Sequence, residues 1–259
     1  MLGDSPPTPL DLKFRLFGIP VRVHPLFWLI MALLGENIFR ARGPEYLLIW
    51  VACGFVSILL HEMGHAVAAR VYGAWSSITL IAFGGFAAYS PSPHKAWKRL
   101  VITAAGPAVN FALVGLLIGV DRTLDAAGQP ATGYLGAVID FLFFQNLIWG
   151  IFNLFPIWPL DGGRILREVC AMAGSRQADV ITHTVSIGVA GFLTLWGILT
   201  NTGNRFPLLE DLFFGHAPSL MMTVFFALFA FENYQMLDYH RRQRRAYNYE
   251  DDDTPPWRR

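Results

Sequence analysis

From Tyr46 to Tyr72 the chain is almost wholly apolar, long enough as a helix to cross a hydrocarbon core of about 30 Å. No other feature constrains the fold so tightly. In lipid every backbone N–H and C=O must be satisfied within the protein, which makes a helix the natural form for such a run. Inside it lies His61-Glu62-Met63-Gly64-His65. On a helix His61 and His65 are four apart and stack on one face, where two imidazoles can bind one zinc ion. Glu62 sits beside them, placed to act as a base on a metal-activated water and not as a third ligand. The alternative is a pair of helix histidines with structural partners. Ionisable groups inside an apolar span are costly, and that weighs toward function.

Composition supports the membrane reading. Of 259 residues, 54% are hydrophobic and only 15% charged, where a soluble domain carries about a quarter. The expected class is an all-α polytopic membrane protein of about six transmembrane helices, with the lipid bilayer as its surroundings. A net charge of +1 gives no footing for a nucleic-acid partner. Cys53 and Cys170 form neither a disulfide framework nor a CxxC metal pair and are expected as small packing residues. Met1 to Pro9 is polar, with no basic n-region, so no cleavable signal peptide is expected and the first spans direct insertion.

In order, Leu10 to Leu16 and Val21 to His24 alternate apolar and polar around a Phe17-Gly18-Ile19-Pro20 turn, predicting a small surface hairpin. His24 is expected to be interfacial and not a ligand. A first span follows at Leu26 to Leu34, of membrane length only with its flanks. Tyr46 to Tyr72 is the second. Ile78 to Phe83 and Phe86 to Tyr89 flank Gly84-Gly85, which suggests a second hairpin with those glycines as its turn. Further spans are expected at Leu100 to Val120, Tyr134 to Phe155, Val180 to Leu199 and Ser219 to Leu237. A charged tail from Tyr239 to Arg259 is expected to be disordered. The domain plan is residues 1–24 as tail and hairpin, 25–238 as the membrane domain with a catalytic core near 46–166, and 239–259 as the tail.

With six spans, sixteen of the twenty Lys and Arg fall on the side of both termini, leaving Arg40, Arg42, Arg122 and Arg205 opposite. The positive-inside rule makes the rich side cytoplasmic, in keeping with a cell inner membrane protein. His61 and His65 then lie in the inner half of their span, with the hairpins on the cytoplasmic face. Asp161 lies at the inner end of the fourth span, at similar depth.

Zinc needs a third protein ligand and an open position. Asp161 is the best candidate. Pro156 and Pro159 break the helix before it, and Gly162-Gly163 allow close backbone approach. The alternative is that Asp161 caps a helix beginning near Arg164. Glu168, Asp140 and Glu232 compete poorly.

These segments resemble the motif set of the site-2 protease family of intramembrane zinc metalloproteases. The resemblance rests on His61-Glu62-Met63-Gly64-His65, Gly106-Pro107-Ala108-Val109-Asn110 and Asn153-Leu154-Phe155-Pro156-Ile157-Trp158-Pro159-Leu160-Asp161-Gly162-Gly163. It covers roughly Leu16 to Leu166, and the segment Phe17 to Pro25 is similar as well. It implies a three-helix catalytic core with one zinc per chain on His61, His65 and Asp161. Glu62 is then the general base, and Asn153, with Asn110, steadies the substrate carbonyl or its oxyanion. For both asparagines interhelical hydrogen bonding is the alternative. The implied partners are transmembrane protein substrates, unwound locally before the cut. The resemblance also favours an edge strand of the Gly84-Gly85 hairpin as the substrate-binding element, over a loop that merely tethers two spans. The loop is too short for an inserted PDZ domain and the tail too short for a CBS pair, so a minimal form is expected. A catalytically inactive scaffold and a metal transporter are the rival readings. The first requires a missing Glu62 or ligand; the second requires further intramembrane acids or histidines, and His183 stands nearly alone in the fifth span.

Overall fold

The computed structural model describes residues 7–82, 84–204, 206–207 and 218–252, with 244–252 by their backbone alone. Most of the Met1 to Pro9 segment, Arg205, Arg258 and Arg259 lie outside that set, and so do the expectations placed on them. The chain forms two compact units, Met1–Asn153 and Leu154–Arg259.

In the first unit, β1 (Leu12–Leu16) and β2 (Ile19–Val23) form the expected antiparallel hairpin. Phe17 and Gly18 take φ of 49° and 74°, as a two-residue turn matched to strand twist requires. Arg70 donates to the carbonyls of both, at 3.0 and 2.7 Å. His24 is the N-cap of α1 (Pro25–Leu34), its Nδ1 accepting the Leu26 N–H at 3.2 Å, with Pro25 preorganised at the first helical position. At ten residues, α1 reaches roughly 15 Å, about half a hydrocarbon core. The described residues therefore hold five helices of membrane length where six spans were expected. A short α2 (Glu36–Arg42) leads into α3 (Pro44–Val71), which carries both histidines.

β3 (Trp75–Ile81) and β4 (Gly84–Ser90) form the second hairpin. The sequence expectation is corrected here by two residues. The pair Ile81↔Gly84 closes the hairpin, so Gly84 and Gly85 begin β4, and the positive φ of the turn, 47°, belongs to Ala82. Nor are the hairpins separate. β2 pairs parallel with β3, giving one sheet in the order β1-β2-β3-β4. The pairing removes two inner edges that would otherwise present bare N–H and C=O groups. It also sets Val21, Val23, Ile78 and Leu80 in one buried cluster with Ile58, Met63 and Ala66 of α3. The remaining helices of the unit, α4 (Ala96–Ala126) and α5 (Gly133–Asn153), pack with α3 and with each other. Close approach of α3 to α4 depends on Gly64, where a Cβ would lie 2.6 Å from the Ala105 carbonyl oxygen. Cys53 is buried against Ala137 and Phe141, and both cysteines are free thiols.

The second unit holds α6 (Asp161–Met172), α7 (Ala178–Asn201) and α8 (Leu220–Asp252). α6 packs on α7, joined by an Arg167–Asp179 ion pair, and α7 packs on α8. The tail is helical over its first two thirds, since α8 continues through Tyr239 to Asp252. An Asp238–Arg242 pair at 2.8 Å, acid N-terminal to base, favours the helix. High charge density alone misled the sequence reading there.

Candidate metal centre

His61, Glu62 and His65 are all buried on α3. Each imidazole is held through its Nδ1. His65 Nδ1 lies 2.8 Å from the Ile102 carbonyl of α4. A carbonyl only accepts, so the ring carries its proton there. Pro107, inside α4, offers no N–H to the Thr103 carbonyl and interrupts the helical ladder there. His61 Nδ1 meets Asn110 Oδ1, and the Asn110 Nδ2 donates to Asn146 Oδ1 at 2.7 Å. With that amide orientation His61 also carries its proton on Nδ1.

In the neutral rings both Nε2 atoms therefore present lone pairs, and the two stand 3.1 Å apart. Lone pairs at that distance repel, and a cation bound by both removes the conflict. Neutral Nε2 with Nδ1–H donated to an oxygen is the usual state of a metal-bound histidine. The wall facing the rings is bare. A Cβ on Gly106 would come within 2.2 Å of His65 Nε2 and 2.9 Å of His61 Cε1. Gly106, which the sequence offered as part of a motif, is constrained by its position against both imidazoles.

Glu62 borders the sheet. A Cβ on Gly85 would lie 2.6 Å from Glu62 Cγ, and one on Gly84 would lie 3.1 Å from the Trp149 ring. The two glycines let β4 run against the acid and the indole. The free edge of β4 follows from the ladder. The His24 N–H donates to the Leu80 carbonyl at 2.8 Å, so Leu80 faces β2. By alternation Thr79 and Ile81 face β4, and their partners Phe86 and Gly84 face back. Gly85 and Ala87 thus turn their N–H and C=O outward, where no described strand pairs.

Asn153 ends α5, buried, with its Nδ2 donating to the Trp149 carbonyl of its own helix at 3.0 Å. This is not the interhelical bond offered as its alternative role.

In the second unit Asp161 is buried and opens α6. The cap position belongs to Leu160, which makes no side-chain cap bond, so Asp161 does not cap this helix. The turn ahead of it is tightly folded. A Cβ on Gly162 would lie 2.2 Å from the Leu154 carbonyl oxygen, and one on Gly163 2.5 Å from the Trp158 nitrogen. Both backbone groups of Trp158 are taken. Its N–H donates to Ser186 Oγ of α7 at 2.9 Å, and its carbonyl accepts from Asn233 Nδ2 of α8 at 2.7 Å.

Against known proteins, the model of Peptidase family M50 matches residues 50–124 and 118–196. The chain belongs to peptidase family M50. A zinc metalloprotease of Methanocaldococcus jannaschii is 32% identical to this M50 chain over 190 residues, 72% of this chain and 53% of that one. A Synechocystis protein, named as a candidate zinc metalloprotease, is 30% identical over 225 residues, 73% of this chain and 58% of that one. The chain thus spans about half the length of the curated relatives it matches. The solved site-2 protease from Methanocaldococcus jannaschii aligns with a TM-score of 0.57 and 25% identity, over 88% of this chain and 95% of that one.

Within the first unit of the M50 chain the structure brings together His61, Glu62, His65, Asn110 and Gly85. Asn110, expected to meet substrate, is fully buried and bonded at both ends of its amide. Ser57 and Asn146 were not singled out for any role. The available signal was that Asn146 is a strongly polar amide within an apolar span, one it shares with Asp140, Gln145 and Asn153.

Proposed function

We propose that the chain is an intramembrane zinc metalloprotease that cuts peptide bonds within or near transmembrane segments of membrane proteins. The observation that carries the reading is the pair of Nε2 atoms 3.1 Å apart on buried histidines of one helix, with a buried glutamate next in sequence to His61. His61, His65 and Asp161 are the proposed ligands, an N₂O donor set that suits catalytic zinc. When bound, zinc supplies an activated water and polarises the scissile carbonyl. Glu62 takes a proton from the attacking water and returns it to the leaving amide nitrogen. The Asn153 amide donates to the carbonyl oxygen as charge develops there.

The substrate is proposed to bind as an added strand on β4. An unwound segment carries backbone groups costing several kcal/mol each if left unpaired in an apolar setting. Gly85 and Ala87 offer N–H and C=O groups that answer them. Such binding reads backbone over side chain, so substrates with Gly, Asn or Pro near the cut open most easily. The site and both termini are proposed to face the cytoplasm, in a cell inner membrane, by the distribution of Lys and Arg.

The test is Glu62→Gln in purified protein. Zinc content should stay near one per chain while cleavage of a membrane substrate falls to background. Cleavage at the wild-type rate would refute the assignment. Ala87→Pro removes one outward donor and should slow cleavage about two- to tenfold, the worth of roughly one hydrogen bond, at unchanged zinc content.

A further inference from the structure

Ser57, Asn110 and Asn146 are the most buried polar side chains of the first unit near the metal centre, each at 0% exposure. Their bonds run in one direction. Asn146 Nδ2 donates to the Leu142 carbonyl at 2.8 Å and to Ser57 Oγ at 2.9 Å. A carbonyl cannot donate, so the amide cannot flip without setting two acceptors against each other. That fixes Asn146 Oδ1 toward Asn110, whose Nδ2 donates to it. Asn110 Oδ1 in turn has one place left, against His61 Nδ1.

We propose that Asn146, braced by Ser57, is a positioning residue that sets the tautomer of His61 through Asn110. A backbone carbonyl of α5, at Leu142, thereby decides which nitrogen of an imidazole on α3 holds the proton. Free neutral imidazole side chains prefer the proton on Nε2, the form that cannot bind a metal through that atom. The relay reverses the preference before any metal arrives. His65 needs no such chain, because the Ile102 carbonyl meets it directly. The two ligands therefore differ in a way that can be measured. Removing Asn146 should free His61 to change tautomer and leave His65 as it is.

The experiment is ¹⁵N spectroscopy of metal-free, histidine-labelled full chain in micelles, with His61→Gln to assign the His61 signals. Wild type should show the Nδ1–H form for both rings. Asn146→Leu should move a measurable fraction of His61 to Nε2–H with His65 unchanged, and Ser57→Ala should do so to a smaller extent. The unchanged His65 signal certifies the fold of each variant. Zinc affinity, measured by chelator competition, should fall about 10- to 100-fold in Asn146→Leu, the usual cost of losing an outer hydrogen bond of a ligand histidine. A His61 signal that stays Nδ1–H in Asn146→Leu would overturn the proposal, as would unaltered zinc affinity. The affinity arm rests on the zinc reading. A wild type that bound no zinc would sink that reading, while the tautomer arm would still decide the relay.

Discussion

Each unit contains one buried histidine whose Nδ1 meets the Oδ1 of an asparagine: His61 with Asn110 in the first, His183 with Asn233 in the second. The bond is the same and the direction of control is opposite. Asn110 is anchored by Asn146, and what it orients is the imidazole. Asn233 reaches outward, its Nδ2 on the carbonyls of Phe229 and Trp158. What His183 holds is the amide, and what the amide holds is the turn ahead of Asp161. His183 is itself packed against Trp158 and stacked on His240, with centroids 5.9 and 5.5 Å away. One pair aims a side chain, and the other aims a stretch of backbone. On α3 the next helix offers His61 a fixed acceptor directly. Asp161 opens α6 behind a turn whose main chain is held instead.

The sharpest break in this comparison is Gly106→Ala. Its Cβ would overlap His65 Nε2, so zinc content and cleavage should both fall to background while circular dichroism stays helical. Asn233→Leu comes next. It leaves the Trp158 carbonyl without its amide donor and should destabilise the fold by about 1–3 kcal/mol in denaturant titration, with weaker zinc binding. The His61 tautomer should not change, which separates the two mechanisms. Ser186→Ala removes the acceptor for the Trp158 N–H and should act in the same direction at about 1 kcal/mol, because the small vacated site admits water. The smallest effect is a coupling. Combined His183→Phe and Asn233→Leu should cost less than the sum of the single changes by about 0.5 kcal/mol or more, since both act through one amide. Strict additivity would mean that His183 does not orient Asn233.

Much of the membrane-spanning plan was legible because long apolar runs have few alternatives in lipid. The histidine pair was legible because a four-residue spacing fixes a shared face whatever lies around it. The prolines and glycines before and after Asp161 marked a tight turn, and only the histidine motif turned attention to its carboxylate. What escaped depended on partners far apart in sequence. Nothing local in Asn146 or Ser57 says that their side chains meet. Parallel pairing of β2 with β3 joins segments separated by three helices, and alternation within each strand is silent about it. The Gly84-Gly85 turn was misplaced because glycine signals either a turn or a close approach. Here it is the second, against Trp149 and Glu62. For Asn110 the motif pointed to substrate, with interhelical hydrogen bonding as the alternative, and its amide does bridge His61 of α3 and Asn146 of α5.

The hold on Trp158 also has a consequence in time. Its donor on α8, Asn233, lies 75 residues further along the chain, and its acceptor on α7, Ser186, lies 28 further. Every residue named by the family motifs has therefore been synthesised long before the turn bearing Asp161 can be secured. During insertion the nascent chain should pass through a stage with both histidines set and the carboxylate still wandering. On the zinc reading proposed above, such a delay would keep that turn unsecured until α8 is in place. Chains released after α7 should bind zinc more weakly than the full chain and should cleave nothing. Equal zinc affinity in the two would show that the hold of α8 on this turn has no bearing on metal binding.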